Sequence, residues 1–172
     1  MIKMEWESIL FTIVRAGNSF VTKYGYPGLF LVCLLGSSSI IPIPFQIIIF
    51  SFGAVLNPLL VGIIAATGST LGSLISYLLG LGGKEILEKK YNKQLTDLKK
   101  KLKKYGIFLW LIVIYATPIP NVPFAILSGV VRYDFRKFFL AVLIGELILN
   151  LALAFAGFYS MKWLASYLTT WF

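Results

Sequence analysis

The residue of this sequence most able to do chemistry is a carboxylic acid within an apolar segment. Glu146 lies about eight residues, or roughly 12 Å, into the stretch 138–158, which is otherwise apolar and long enough to cross a membrane. Asn150 follows one helical turn later on the same face. Because a carboxylic acid inside a membrane is costly, Glu146 is a candidate for binding or proton transfer. The alternative is a hydrogen-bonded carboxyl group that serves packing alone.

The composition excludes most enzyme classes. The chain has no histidine and a single cysteine, Cys33. A Ser-His-Asp or Cys-His nucleophile therefore cannot form, and neither can a His/Cys metal site or an internal disulfide. The sequence predicts no enzyme activity, no bound metal and no cofactor.

The same composition is typical of an integral membrane protein. Of the 172 residues, 58% are hydrophobic and 13% are charged, whereas soluble domains have about 45–50% apolar and about 25% charged residues. A soluble fold of this size cannot bury so much apolar surface. We therefore expect one all-α membrane domain over residues 1–172.

The net charge of +9 comes largely from nine lysines in residues 84–104. A basic segment beside a membrane helix is typical of a cytoplasmic loop that contacts anionic lipid headgroups. We therefore predict membrane lipids as partners, and no nucleic acid. Apolar residues recur at helical spacing within 82–104, which predicts an amphipathic surface helix; coiled-coil pairing in a homo-oligomer is the alternative.

A Pro-Ile-Pro unit interrupts each of the apolar segments 26–60 and 107–131. Proline removes a backbone donor and disfavours helix at the preceding residue, so each segment should form two short helices. Neither short helix can cross a hydrocarbon core of about 30 Å. The stretches long enough to span are 59–81 and 138–158, and the stretches expected at the membrane surface are a helix in 1–23 and an aromatic tail in 160–172.

The two Pro-Ile-Pro units belong to an internal repeat. A shift of 76 residues sets Pro42 on Pro118 and also sets Gly53 on Gly129 without a gap. An internal duplication across broken helices is typical of transporter folds whose binding site lies near the membrane midplane. The two predicted repeats are residues 24–81 and 105–159.

The distribution of basic residues predicts how the two repeats are oriented in the membrane. If each Pro-Ile-Pro unit is the tip of a hairpin that enters and leaves the membrane on one side, the basic residues of 84–104 and 132–137 share a side. A spanning second segment would separate them, against the positive-inside tendency. We therefore predict an inverted repeat of two re-entrant hairpins in a multi-pass cell-membrane protein, with 84–104 and 132–137 cytoplasmic. The alternative is a pair of proline kinks with no site.

Polar residues flank both tips. Non-helical backbone at membrane depth must be covered by protein or line a polar cavity, so we predict a cavity between the tips. At the repeat shift, Glu146 corresponds to Thr70. The predicted path comprises Pro42, Pro44, Gln46, Gly53, Thr70, Tyr115, Thr117, Pro118, Pro120, Asn121, Gly129, Glu146 and Asn150.

These motifs resemble the DedA family, also called the VTT or SNARE-associated membrane proteins, and most closely its short YqaA-like branch. The resemblance covers approximately residues 24–157. Its specific parts are Ile41-Pro-Ile-Pro-Phe-Gln46 followed by Gly53, Gly68-Ser-Thr-Leu-Gly72, and Thr117-Pro-Ile-Pro-Asn121 followed by Gly129. Many members carry an acid where this chain has Gln46, and arginines where it has Tyr115 and Asn121.

The resemblance implies two inverted re-entrant hairpins and the movement of lipid between leaflets. The expected cargo is phospholipid or a polyprenyl-phosphate carrier, and the expected activity is that of a flippase or scramblase. Two alternatives use the same residues: a small-solute or ion transporter with the same cavity, and a membrane assembly protein that transports nothing.

Overall fold

A computed structural model of the chain describes residues 12, 15, 19–38, 45–83 and 106–171. Every regular element within them is an α-helix, as predicted. The helices are α1 (Tyr26–Ser37), α2 (Phe45–Val55), α3 (Pro58–Gly82), α4 (Ile107–Tyr115), α5 (Val122–Val130) and α6 (Phe135–Trp171). Some predicted features lie outside the described residues. They are Pro42, Pro44, the basic segment 84–104 and most of the predicted interfacial helix in 1–23.

Among the described residues, two helices are long and apolar enough to cross a membrane: α3, and α6 from Phe135 to Trp163. The 25 residues of α3 and the 37 of α6 extend about 38 Å and about 56 Å, against a hydrocarbon core of about 30 Å. The helices predicted over 59–81 and 138–158 are therefore present. The aromatic tail is not a separate element, because α6 continues through it to Trp171.

The other four helices have nine to twelve residues each and extend about 14–18 Å, too short to cross. Local chemistry sets their limits. The Asn57 side chain accepts hydrogen bonds from the backbone of Leu59 (3.0 Å) and Leu60 (3.3 Å), and Pro58 occupies the first turn of α3. Gly106, with φ +64°, turns the chain into α4 in a conformation that favours glycine.

The main contacts of helices α1–α3, in the first half of the chain, correspond to those of helices α4–α6, in the second half. Helix α3 packs on α1, α5 and α6, while α6 packs on α4, α2 and α3. These main contacts are unchanged if α1, α2 and α3 are exchanged with α4, α5 and α6, although α2 also contacts α3 and α5 has no equivalent packing on α6. The second short helix of each half thus packs chiefly on the long helix of the other half.

Glycines on both partners allow these two crossings to be close. At the α2–α6 crossing, a Cβ on Gly53 would collide with the backbone of Ala154, and one on Gly157 with the backbone of α2. At the α5–α3 crossing, Gly129 and Gly80 meet opposing backbone in the same way. The glycines aligned by the repeat therefore serve backbone-to-backbone packing.

The contacts correct the repeat alignment within the long helices by one residue. Gly68 packs on α1 at Phe30 and Cys33, and Gly145 packs on α4 at Ile112 and Tyr115. These two glycines are 77 residues apart, as are Gly80 and Gly157. The equivalent of Glu146 is therefore Ser69 rather than the predicted Thr70. The reason is that the connection from α5 to α6 is longer than that from α2 to α3.

Helices α4 and α5 form a hairpin with both open ends at one end of α3. Ile107 and Val131, at the two open ends, line the same apolar pocket. Two residues after Val131, the backbone carbonyl of Tyr133 accepts a hydrogen bond of 2.6 Å from the Tyr77 hydroxyl, near the end of α3. The turn of the hairpin lies at the opposite end, beside Glu146.

Candidate functional site

Glu146 is fully buried, and two amide side chains bind its carboxylate. Asn121 Nδ2 donates to Oε1 (3.0 Å), and Asn150 Nδ2 donates to Oε2 (2.8 Å) and to the Glu146 backbone carbonyl (2.7 Å). The carboxylate is attached about 17 Å from the start of α6, near the middle of the apolar stretch Phe135–Trp163. The expected same-face contact of Glu146 and Asn150 is therefore present, and Asn121 joins it from the hairpin turn.

Asn121 precedes α5 and connects that helix to α6. Its backbone carbonyl accepts from Phe124 (3.0 Å) and Ala125 (3.2 Å), as the residue before a helix normally does. Asparagine in this position often also caps the helix with its side chain, but here no such cap forms. The side chain binds Glu146 instead, so the start of α5 is held against the middle of α6.

The Pro-Ile-Pro turn between α4 and α5 has few free hydrogen-bond donors. The backbone N–H groups of Ala116, Thr117 and Ile119 all donate to carbonyls within the turn or α4 (2.8, 3.2 and 2.8 Å). Pro118 and Pro120 have no N–H to satisfy. Both prolines are exposed rather than covered by protein. Because these backbone N–H groups are either hydrogen-bonded or absent, exposure of the turn within a membrane is tolerable.

A second cluster of polar side chains lies next to the Glu146 cluster, and α1, α3 and α4 contribute its members. The hydroxyls of Ser37 and Ser73 are 3.0 Å apart. Tyr115 is fully buried with its hydroxyl towards Ser73, and Ser69 lies beside the Cys33 thiol.

Three atoms of this region are buried without a hydrogen-bond partner in the described part of the chain. They are Ser69 Oγ, Tyr115 Oη and Asn150 Oδ1. Their side chains come from α3, α4 and α6, all fully buried. Buried polar atoms are rarely left unpaired in proteins; the polar side chains nearest to two of these atoms are Ser73, beside Tyr115 Oη, and Cys33, beside Ser69 Oγ.

Several predicted path residues stand apart from this cluster. Thr70 donates to the carbonyl of Ala66 in its own helix (2.7 Å), and Thr117, in the turn after α4, donates to the carbonyl of Ile114 (2.8 Å). Gln46 is half-buried in the first turn of α2 and makes none of the bonds to Glu146. The structure thus joins Asn121, Glu146 and Asn150, with Tyr115 adjacent; Gly53 and Gly129 lie at helix crossings.

The predicted cavity between the two Pro-Ile-Pro tips stays a prediction, because Pro42 and Pro44 lie outside the described residues. Glu146 and Asn150 are fully buried, so this conformation is closed around them. An apolar pocket lies between α4 and α5, lined by Ile107, Trp110, Leu111, Phe124, Leu127, Ser128, Val131 and Tyr133. Among the described residues, no group of three His, Cys, Asp or Glu side chains could hold a metal ion.

Sequence reasoning missed two long-range bonds, Ser37–Ser73 and Tyr77–Tyr133. One signal pointed to the first: glycines 77 residues apart flank the serine-rich part of α3 and the Glu146 region of α6. This spacing sets Ser69 on Glu146 and Ser73 on Asn150. The serines of α3 therefore occupy the positions equivalent to the site on α6.

Comparison with known proteins identifies the family of this chain. The family model for the VTT domain matches residues 43–159. This range begins within the first Pro-Ile-Pro unit and includes α2 to α5 completely and α6 up to Tyr159. The chain belongs to the VTT-domain, or DedA, family. The predicted membership is thus confirmed, and members of the family are generally associated with membrane transport.

This VTT-domain protein is also similar to an uncharacterized membrane protein, YbfM, of Bacillus subtilis (strain 168). The two are 29% identical over 140 residues, covering 74% of this chain and 85% of YbfM. No solved structure gives a significant match to the chain.

Proposed function

We propose that this VTT-domain protein moves lipid, either phospholipid or a polyprenyl-phosphate carrier, between the leaflets of the cell membrane as a flippase or scramblase. The observation that carries the proposal is the meeting of a hairpin turn with a buried carboxylate near the middle of a spanning helix. A headgroup that crosses a bilayer needs polar partners at this depth. Polar groups are too costly there to be retained without a use.

The shape of the α4–α5 hairpin supports a re-entrant arrangement. Each of its helices extends about 14 Å, its open ends lie together, and its turn reaches Glu146. The exchange pattern of helix contacts supports a counterpart, α1–α2, that enters from the other side. Two such hairpins form an inverted repeat with the transport path between them.

The positions of the basic residues support a cytoplasmic side for both basic segments. Arg132, Arg136 and Lys137 are exposed around the start of α6. The Tyr77 bond joins this turn to the end of α3, from which the lysine-rich residues 84–104 continue. Basic residues concentrated on one side favour the cytoplasm and attract anionic lipid headgroups.

Transport requires the closed cluster to open. The Asn121–Glu146 bond holds the turn of the α4–α5 hairpin against α6, so this bond must break for the hairpin to move. The headgroup would then pass along the polar side chains of α3 and α6 while the acyl chains stay in lipid.

A leaflet-exchange assay in reconstituted vesicles tests the proposal. Fluorescent lipids with several headgroups are followed with and without a pH gradient, for the native protein, for Glu146→Gln, and for Asp134→Asn as a matched control at an exposed acid. We expect the native protein to exchange lipid faster than empty vesicles do. Glu146→Gln should lower this rate at least about tenfold, equivalent to about 1.4 kcal/mol in activation free energy. Asp134→Asn should leave the rate unchanged. No acceleration over empty vesicles refutes the proposal. Solute accumulation without lipid exchange would favour the small-solute or ion transporter.

A further inference from the structure

The apolar pocket between α4 and α5 follows the length of the hairpin. On α5 the four lining residues from Phe124 to Val131 share one helix face, at spacings i, i+3, i+4 and i+7, and extend over about 10 Å. Six of the eight lining side chains are partly or fully exposed, so the pocket lies at the surface of the protein. One of the two hydroxyls in the lining, that of Ser128, already donates to the Phe124 carbonyl (2.7 Å). Such a lining suits a hydrocarbon chain.

A basic turn, residues 132–137, adjoins the end of this pocket. Arg132 stands between two lining residues in the chain, so its backbone borders the pocket. Arg136 and Lys137 follow in the first turn of α6, and all three basic residues are exposed. The acid of this segment, Asp134, accepts a hydrogen bond from the Lys137 backbone N–H (2.9 Å). Three basic residues and one acid give the basic turn a net charge of +2, next to an apolar surface.

Arg132 has a backbone conformation in which glycine is normally found. Among the residues that the structure describes, it alone combines a side chain with a positive φ, +51°. Its N–H donates to the Gly129 carbonyl, and the next N–H donates to the Ser128 carbonyl (both 2.9 Å). This pair of bonds commonly closes a helix end around a glycine. A side chain at this position is destabilising where glycine is not, so the arginine is expected to serve a function.

We propose that the pocket and the basic turn together bind one anionic phospholipid, with an acyl chain in the pocket and the phosphate against Arg132. The guanidinium group of arginine matches a phosphate group in geometry and charge. Free phosphate would use only the basic turn, and an acidic soluble protein would leave the pocket without an acyl chain. The site rests on the re-entrant placement of the α4–α5 hairpin proposed above. It does not require transport, because Arg132 lies at the opposite end of the hairpin from Glu146.

Fluorescence of Trp110, which lines the pocket, tests the site, because brominated acyl chains quench a tryptophan that they contact. The other three tryptophans, Trp6, Trp163 and Trp171, are replaced by phenylalanine in the full-length protein. The protein is placed in phosphatidylcholine nanodiscs that contain either brominated phosphatidylglycerol or brominated phosphatidylcholine at the same mole fraction. We expect stronger quenching by phosphatidylglycerol, which saturates at a low mole fraction as one site fills. Equal quenching by the two lipids overturns the proposal.

Substitutions of Arg132 separate lipid binding from the stability of the turn. Arg132→Gln and Arg132→Gly should each lower the preference for phosphatidylglycerol about fivefold, the contribution of one basic residue near an anionic surface. Lys162→Gln, at an exposed position towards the other end of α6, is the matched control and should leave the preference unchanged. Arg132→Gly should also raise the unfolding midpoint in phosphatidylcholine alone, because glycine relieves the backbone. A preference that survives both Arg132 variants overturns the proposal.

A second single-tryptophan protein, which keeps only Trp163, provides the control for location. Trp163 is exposed towards the other end of α6 and should be quenched equally by the two lipids. The same preference at Trp163 as at Trp110 would mean general enrichment of anionic lipid and would overturn the site. Absence of quenching of Trp110 by either lipid would overturn both the site and the re-entrant placement. Preferential quenching of Trp110 without leaflet exchange would support the site and refute only lipid transport.

Discussion

The crossing of α3 and α5 offers a quantitative test of the packing, by substitution of Gly80 with alanine. A Cβ at this position would collide with the Ile126 carbonyl oxygen and lie 2.9 and 3.0 Å from two further backbone atoms of the same residue. Ordinary contact begins at 3.4 Å, and backbone cannot rotate away as a side chain can. The two helices must therefore move apart.

Overpacking of this kind costs about 1–3 kcal/mol. For a chain of this size, each kcal/mol lowers the unfolding midpoint by about 2–4 °C, so Gly80→Ala should lower it by about 2–12 °C. Gly82→Ala is the matched control, because the same helix carries it and nothing lies within 4 Å of its added Cβ. That change should leave the midpoint unchanged or raise it slightly, since alanine favours helix by roughly 0.5–1 kcal/mol.

The assay is thermal unfolding of the purified protein in lipid nanodiscs, with all variants measured under identical conditions. Gly129→Ala, on the other side of the crossing, should be destabilising alone but cost less in the Gly80→Ala background, because the helices are already separated. Equal midpoints for Gly80→Ala and Gly82→Ala would refute the close crossing. Full additivity of the two crossing variants would show that the glycines do not share one contact.

Three further tests concern individual hydrogen bonds. Tyr77→Phe keeps the ring and removes the hydroxyl that donates to the Tyr133 carbonyl. It should lower the free energy of unfolding, measured with urea or heat, by about 0.5–1.5 kcal/mol. An unchanged free energy would mean that water replaces the bond. Ser37→Ala and Ser73→Ala, combined in a double-mutant cycle, should show a coupling of about 0.5–1.5 kcal/mol; zero coupling would contradict the 3.0 Å bond. Asp134→Ala removes the side chain that caps the start of α6 and should cost about 1 kcal/mol, whereas Asp134→Asn should cost little because asparagine also caps.

Local rules were sufficient to predict the helices. Proline's missing N–H predicted the break between α4 and α5, and Asn57-Pro58 predicted the start of α3. The contact of Glu146 with Asn150 was also predictable, because residues four apart share a helix face. These features need no knowledge of how the helices pack.

Contacts between helices were the part that could not be predicted. Asn121 is 25 residues from Glu146 in the chain, and only the folding of α4 and α5 into a hairpin brings them together. The match of Thr70 to Glu146 was wrong because connections of different length join the short and long helices of the two halves. A single shift applied to the whole repeat cannot represent such a difference.

The exchange of helices between the halves has a consequence for biogenesis. The residue that Gly53 packs on, Ala154, is synthesised about 100 residues later, a delay of about 5–20 s at ordinary rates of translation. During that time α2 lacks the helix that it finally packs against. Helix α2 can therefore complete its packing only after α6 has been synthesised, and until then its apolar face needs cover from another apolar surface such as lipid.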